Sequence, residues 1–176
     1  MRKLFLFGMF FISCLQLVIG QNEEGHHGSE HESEEGTSIT IGTGIEYSDE
    51  LNGIGNNIRA YYNIGEHICF GPEYSYFKKD EVELFDFNLV GHYIFELPFG
   101  GFYPLWGANY SIEKEEGPIE EERETAFGVV FGGGFHKTFK NITVFIEYSR
   151  VESDLADNFG TFGIMYTFKK WINWKN

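Results

Sequence analysis

Eight segments between Thr37 and Phe168 alternate apolar and polar side chains with a period of two, and that period excludes a helical domain. Successive side chains of a strand point to opposite faces, whereas a helix repeats every 3.6 residues. In the first segment Ile39, Ile41, Thr43, Ile45 and Tyr47 share one face and Thr40, Gly42, Gly44 and Glu46 the other. The second sets Ile58, Ala60, Tyr62 and Ile64 against Arg59, Tyr61 and Asn63, and the third sets Ile68, Phe70, Tyr74 and Tyr76 against Cys69, Gly71, Glu73 and Ser75. In the fourth, Phe85, Phe87, Leu89, Tyr93 and Phe95 oppose Asp86, Asn88 and His92. In the fifth, Phe102, Trp106, Ala108 and Tyr110 oppose Gly101, Gly107, Asn109 and Ser111, with Tyr103 and Leu105 blurring the pattern. The last three set Phe127, Val129, Phe131 and Phe135 against Gly128, Gly132 and Gly134; Ile142, Val144, Ile146 and Tyr148 against Thr143 and Glu147; and Phe162, Ile164, Tyr166 and Phe168 against Thr161, Gly163 and Thr167.

The connections alternate in length. Residues 48–55, 78–81, 113–124 and 151–158 are the longer, charged links, whereas 65–67, 96–98 and 136–141 are short. Alternation alone does not say which face is inside, so a soluble eight-stranded barrel is a rival. Volume decides between them. The apolar face carries a large share of the 19 Phe and 10 Tyr, more bulk than the narrow interior of eight strands holds, while the other face is rich in Gly, Ser, Thr and isolated charges. The apolar face therefore belongs against lipid. Tyr47, Tyr76, Tyr110 and Tyr148 fall near the long-loop ends and Phe95, Phe135 and Phe168 near the short-turn ends, as interfacial girdles do. The expected fold is all-β: an eight-stranded antiparallel transmembrane up-and-down β-barrel over 37–168. Its layout is that of an outer-membrane barrel with periplasmic termini and extracellular long loops. Pro72 and Pro104 fall inside the third and fifth strands, where a missing donor predicts a bulge or a shift of the strand limits.

The residues before Thr37 fix the compartment. Arg2 and Lys3 followed by the apolar run Leu4 to Ile19 and the small-residue end at Gly20 read as a secretory signal over 1–20, with Gln21 the first mature residue. Phe11-Ile12-Ser13-Cys14 is a poor lipidation motif. Cys69 is then the only mature cysteine, so no internal disulfide forms and its thiol is expected to be a small buried side chain. The formal charge of -14 includes Arg2 and Lys3, so the mature chain sits at about -16, a balance that repels nucleic acid. Residues 21–36 carry six glutamates and His26, His27 and His31 with no large apolar residue, which predicts a disordered lead-in. Three imidazoles could hold a soft divalent ion, but the stretch lacks paired or spaced ligand signatures, so a solvated tail is the stronger reading.

On these features the chain resembles the small outer-membrane β-barrel family, the porin-like domain typified by OmpA and OmpX. The resemblance covers 37–168 and rests on strand count, loop asymmetry and the closing segment Gly163-Ile164-Met165-Tyr166-Thr167-Phe168. It implies that the alternating aromatics of that segment are read by the barrel-assembly machinery of a Gram-negative cell. Residues 169–176 follow, with Trp171, Trp174, Lys169, Lys170 and Lys175 reading as an interfacial tail among outer-membrane lipids.

The candidate site is the lumen. Glu46, Arg59, Glu73, Asp86, His92 and Glu147 all fall on the polar face, and an unpaired charge in a narrow interior is costly. Arg59, the only Arg or Lys assigned inward, is expected to bridge Glu46 and Glu73 on the neighbouring strands. Two functions follow: a structural or surface-interaction barrel plugged by ion pairs, or a narrow cation-preferring diffusion pore, the latter disfavoured because eight strands leave little room for water. Enzymatic roles are not expected. None of His67, His92 or His136 has Ser two residues on, the expected outer loops hold Ser48 and Ser153 but no His, and no phosphate loop, nucleophile elbow, zinc motif or cofactor motif appears. The carboxylates between Glu113 and Glu124 lack an apolar enclosure and read as a solvated loop, with surface divalent cations as candidate partners.

Overall fold

The structure, a computed structural model, describes residues 37–116 and 121–169. The expected signal, the histidine-containing lead-in and the Trp171 and Trp174 tail lie outside the described residues. The strands are β1 (Thr37–Ser48), β2 (Gly53–Ile64), β3 (Ile68–Lys79), β4 (Val82–Tyr93), β5 (Phe95–Leu97), β6 (Gly100–Glu116), β7 (Glu121–Phe139), β8 (Ile142–Glu152) and β9 (Asp157–Lys169). All neighbours are antiparallel. β1 pairs with both β2 and β9, and β4 pairs with β6, so the sheet closes on itself. β4 and β5 form one stave, because His92↔Leu105 and Phe95↔Phe102 lie on the same register against β6. The result is a closed eight-stave up-and-down barrel, and closure leaves no open sheet edge around the wall.

Neither proline makes a bulge. Pro72 faces outward in β3, where the ladder to β2 lacks its rungs between Arg59↔Glu73 and Tyr62↔Phe70 but resumes in the same register. Pro104 stays on the ladder to β7 opposite Gly133, and on its other side it falls where β4 gives way to β5. A missing N–H therefore removes hydrogen bonds locally without adding a residue to either stave. Tyr103 and Leu105, which blur the sequence pattern, are both buried inside the barrel, so β6 alternates without exception through this stretch.

The strands run further than the sequence pattern indicates, and the asymmetry between the two ends shrinks accordingly. Residues 49–52, 80–81, 117–120 and 153–156 connect strands at one end, here the loop end; 65–67, 98–99 and 140–141 do so at the other, the turn end. Asn52, Asp80, Lys140 and Gly65 take positive φ of 47°, 53°, 60° and 62°, the left-handed geometry that reverses a chain in few residues. What remains of the asymmetry is the β6–β7 ribbon, which stays paired to Glu116↔Glu121, whereas β8 reaches β7 only as far as Val129↔Glu152. Within that ribbon Glu113 opposes Glu124, Glu115 opposes Glu122 and Lys114 opposes Arg123, so like charges face one another across the strands.

The outer wall is apolar and open to its surroundings, from Tyr93 at 40% to Phe127 at 82% exposure, with Tyr47, Tyr148, Phe95, Phe135 and Phe168 all outward near stave ends. The interior holds more ring volume than the sequence argument allowed. Phe77, Tyr61, Tyr103, Phe145 and Phe159 are buried in the lumen, and they fit because glycine faces some of them. A Cβ at Gly55 would lie 2.4 Å from the Phe77 ring, and one at Gly134 would lie 2.6 Å from that of Tyr103.

Candidate functional site

Alternation brings all six expected residues to the interior, where each is no more than 8% exposed, but their pairing differs from the sequence expectation. Arg59 does not bridge Glu46. Its Nη1 donates to both oxygens of Glu147, at 3.3 and 3.2 Å, and its Nη2 donates to Oε1 at 3.3 Å, so the guanidinium reaches β8 from β2. Glu73 on the adjacent β3 lies 3.6 Å from Nη1. The guanidinium carbon sits 4.2 Å from the centre of the Phe145 ring, an arrangement in which the ring face attracts the cation.

Glu46 joins this centre only through neutral groups. Arg59 Nε donates to Asn57 Oδ1 at 2.8 Å, Asn57 Nδ2 donates to Ser75 Oγ at 2.9 Å, and Ser75 in turn donates to Glu46. Thr161 Oγ1 supplies a second bond to Glu46 at 3.1 Å. Asp86 stands apart, caged by Ser111 Oγ at 2.5 Å, Asn109 Nδ2 at 2.8 Å and Asn88 Nδ2 at 2.9 Å. Hydroxyl and amide donors can satisfy a carboxylate's lone pairs without a full opposite charge, which explains how two of the acids are held.

The remaining acids carry aromatic partners that sequence reasoning placed on the inner face or left unassigned. Tyr61 donates its hydroxyl to Glu73, and Tyr103 donates to Glu147 Oε2 at 2.9 Å. The signal for them was available: their parity in β2 and β6 is inward, and a buried phenol needs a hydrogen-bond partner. His92 packs between the two phenols, its ring stacked on Tyr103 at 4.9 Å and edge-on to Tyr61 at 4.8 Å. Its Nδ1 lies 3.4 Å from the sulfur of Cys69, which is buried as expected. Its Nε2 is buried without a hydrogen-bond partner and lies 4.0 Å from Glu73 Oε1.

Below this cluster, toward the turn end, a cavity of about 610 Å³ is lined by Tyr61, Cys69, His92, Tyr103 and His136 among others. Above it, Phe77 and Phe159 stack at 5.5 Å and pack with Leu84, Val130 and Val151. The rim at that end is tied by Ser48, which donates to Asp157, and by Lys79, whose Nζ donates to the carbonyls of Leu51 and Asn52 at 2.8 Å each. Lys79 has inward parity in β3, so Arg59 is not alone in facing inward; it is the one buried Arg or Lys among the described residues.

A closed antiparallel barrel with an apolar outer belt and a polar, ring-filled interior is the fold of the small outer-membrane barrels. The N-terminal β-barrel domain of Pseudomonas aeruginosa OprF superimposes with a TM-score of 0.63 and 16% identity, covering 74% of this chain and 97% of that one. Ail, the attachment invasion locus protein of Yersinia pestis, superimposes with a TM-score of 0.57 and 17% identity, covering 76% and 99%. No protein-family model matches the sequence, and no curated protein is similar to it at the sequence level. The likeness is one of fold.

Proposed function

We propose that this chain is an outer-membrane barrel protein with a structural or surface-interaction role, whose lumen is plugged rather than conducting. The membrane setting is supported by the outer belt, because an apolar surface that encircles a closed barrel would be an aggregation site in water and is matched to lipid. The plug rests on one observation above the others: Arg59, only 3% exposed, reaches across the interior from β2 to Glu147 on β8. Periplasmic termini and an extracellular loop end complete the reading, with the charged β6–β7 ribbon as the surface element available to partners or divalent cations. Lipids of the outer membrane and the barrel-assembly machinery are the partners it implies.

Conductance in planar bilayers tests the plug. Folded protein should be silent, and stable, ion-selective steps would replace this reading with a narrow cation-preferring pore. Protease added to intact cells tests the orientation, with cleavage expected in the ribbon around 113–124 before any cut at 65–67, 98–99 or 140–141. The reverse order would invert the topology.

A further inference from the structure

The lumenal charges do not balance. Glu46, Glu73, Asp86, Glu147 and Asp157 are buried against Arg59 as the one buried Arg or Lys among the described residues. Glu46 and Asp86 are served by hydroxyl and amide donors, and Asp157 accepts from Ser48 and two backbone amides of the rim. Glu73 and Glu147 share a single guanidinium, and Glu73 has the poorer part of it at 3.6 Å. Beside them the Nε2 of His92 is buried, 4.0 Å from Glu73 Oε1 and without a hydrogen-bond partner among the described residues. An orphaned imidazole nitrogen in a low-dielectric interior next to an undercompensated carboxylate is a costly arrangement unless something occupies the space between them.

We propose that Glu73, His92 and Glu147 form a lumenal binding site for a zinc-like divalent cation entering from the turn end. The three side chains come from β3, β4 and β8 and present ligand atoms within 4.8 Å of one another. Bonds of about 2.0–2.2 Å to one imidazole nitrogen and two carboxylate oxygens require these atoms to draw together by roughly an ångström or more. Glu73 can make that move by giving up its long contact to Arg59, and Glu147 frees a lone pair by giving up one of its three guanidinium bonds of 3.2–3.3 Å. The donor set selects the ion: an imidazole with only two carboxylates suits zinc, whereas calcium and magnesium favour six or more oxygens. Three protein ligands leave a fourth position for water, and the cavity lined by Cys69, His92 and His136 supplies both that water and an entry path.

Cys69, Tyr61 and Tyr103 complete the site as positioning residues. If the His92 Nδ1–H donates to the Cys69 sulfur 3.4 Å away, the lone pair is on Nε2, the tautomer a metal needs. Tyr61 donates to Glu73 and Tyr103 to Glu147, which orients both carboxylates from the second layer. The site lies within the cluster that plugs the lumen and assigns that cluster a ligand.

Zinc titration of the tag-free full chain, refolded metal-free in detergent, tests the site. His26, His27 and His31 are replaced by Ala in every sample so that their imidazoles do not contribute. One zinc per chain is expected, with affinity falling at least tenfold in His92→Gln. Should His92→Gln fail to fold, X-ray absorption at the zinc edge of the folded parent decides alone: one imidazole nitrogen with carboxylate oxygens near 2.0 Å is the expected shell. Absence of stoichiometric zinc, a shell without imidazole, or equal affinity in a folded His92→Gln would overturn the site in favour of a proton on His92 shared toward Glu73. Silent bilayers without zinc would remove the ion and leave the plug, whereas conductance would remove the plug whichever way zinc behaves.

Discussion

The two ends of the lumen are lined by different chemistry. At the loop end Phe77, Phe159, Leu84, Val130 and Val151 fill the bore with apolar side chains, and Phe77 is only 1% exposed. At the turn end the bore widens into the 610 Å³ cavity, where Cys69, His92, Tyr103 and His136 stand beside Ser38, Thr40 and Asn63. Arg59 and its partners lie between the two, as the partition of the proposed plug. Apolar packing is indifferent to which neighbour it meets and tolerates no void, whereas a polar lining requires specific partners and tolerates water. In the proposed plug one end would therefore be a stopper and the other a vestibule with access to the charged centre.

The largest effect expected from breaking this arrangement is at the stopper. Phe77→Ala removes a buried ring stacked on Phe159 and should cost on the order of 3–4 kcal/mol in denaturant unfolding in detergent or lipid, less to the extent that water fills the void. A loss below about 1 kcal/mol would show that the loop end is as wet as the turn end.

Next comes the partition. Arg59→Met leaves Glu73 and Glu147 buried without their cation and should cost about 3 kcal/mol in the same measurement. Adding Glu147→Gln to Arg59→Met should recover part of that loss, because one of the two stranded charges is gone. Unfolding midpoints that match the parent in Arg59→Met would mean that water already screens the cluster and that the partition is porous.

The smallest effect is expected in the vestibule. Gly134→Ala puts a methyl 2.6 Å from the Tyr103 ring and 2.7 Å from the Ile146 carbonyl, and displacing them should cost about 2 kcal/mol. The ring can move into the cavity, so the barrel should still fold. Loss of folding in this variant would make the turn end as tightly packed as the loop end.

Much of this was legible in the chain before any coordinates. The parity of Glu46, Arg59, Glu73, Asp86, His92 and Glu147 placed them on one face, and the same parity extended through Tyr103, Leu105, Phe145 and Val151 would have revealed the buried rings and aliphatics. Side-chain volume alone hides them, since it places large side chains on the outer wall by type rather than by position. Loop lengths were overestimated for a related reason: charge in 113–124 signals exposure to water, and the β6–β7 ribbon is both solvated and paired.

The sequence by itself determined the strand count, the faces and the membrane-facing belt, because a period of two is a property of neighbouring residues and survives any arrangement of the staves. Only the tertiary structure decided which charges meet. Arg59 finds Glu147, 88 positions away, rather than Glu46 on the neighbouring stave, because a guanidinium on a long side chain reaches across a narrow bore. Which carboxylate lies opposite depends on the stagger of every stave between them. That stagger is fixed by closure of the whole sheet and is written in no single segment.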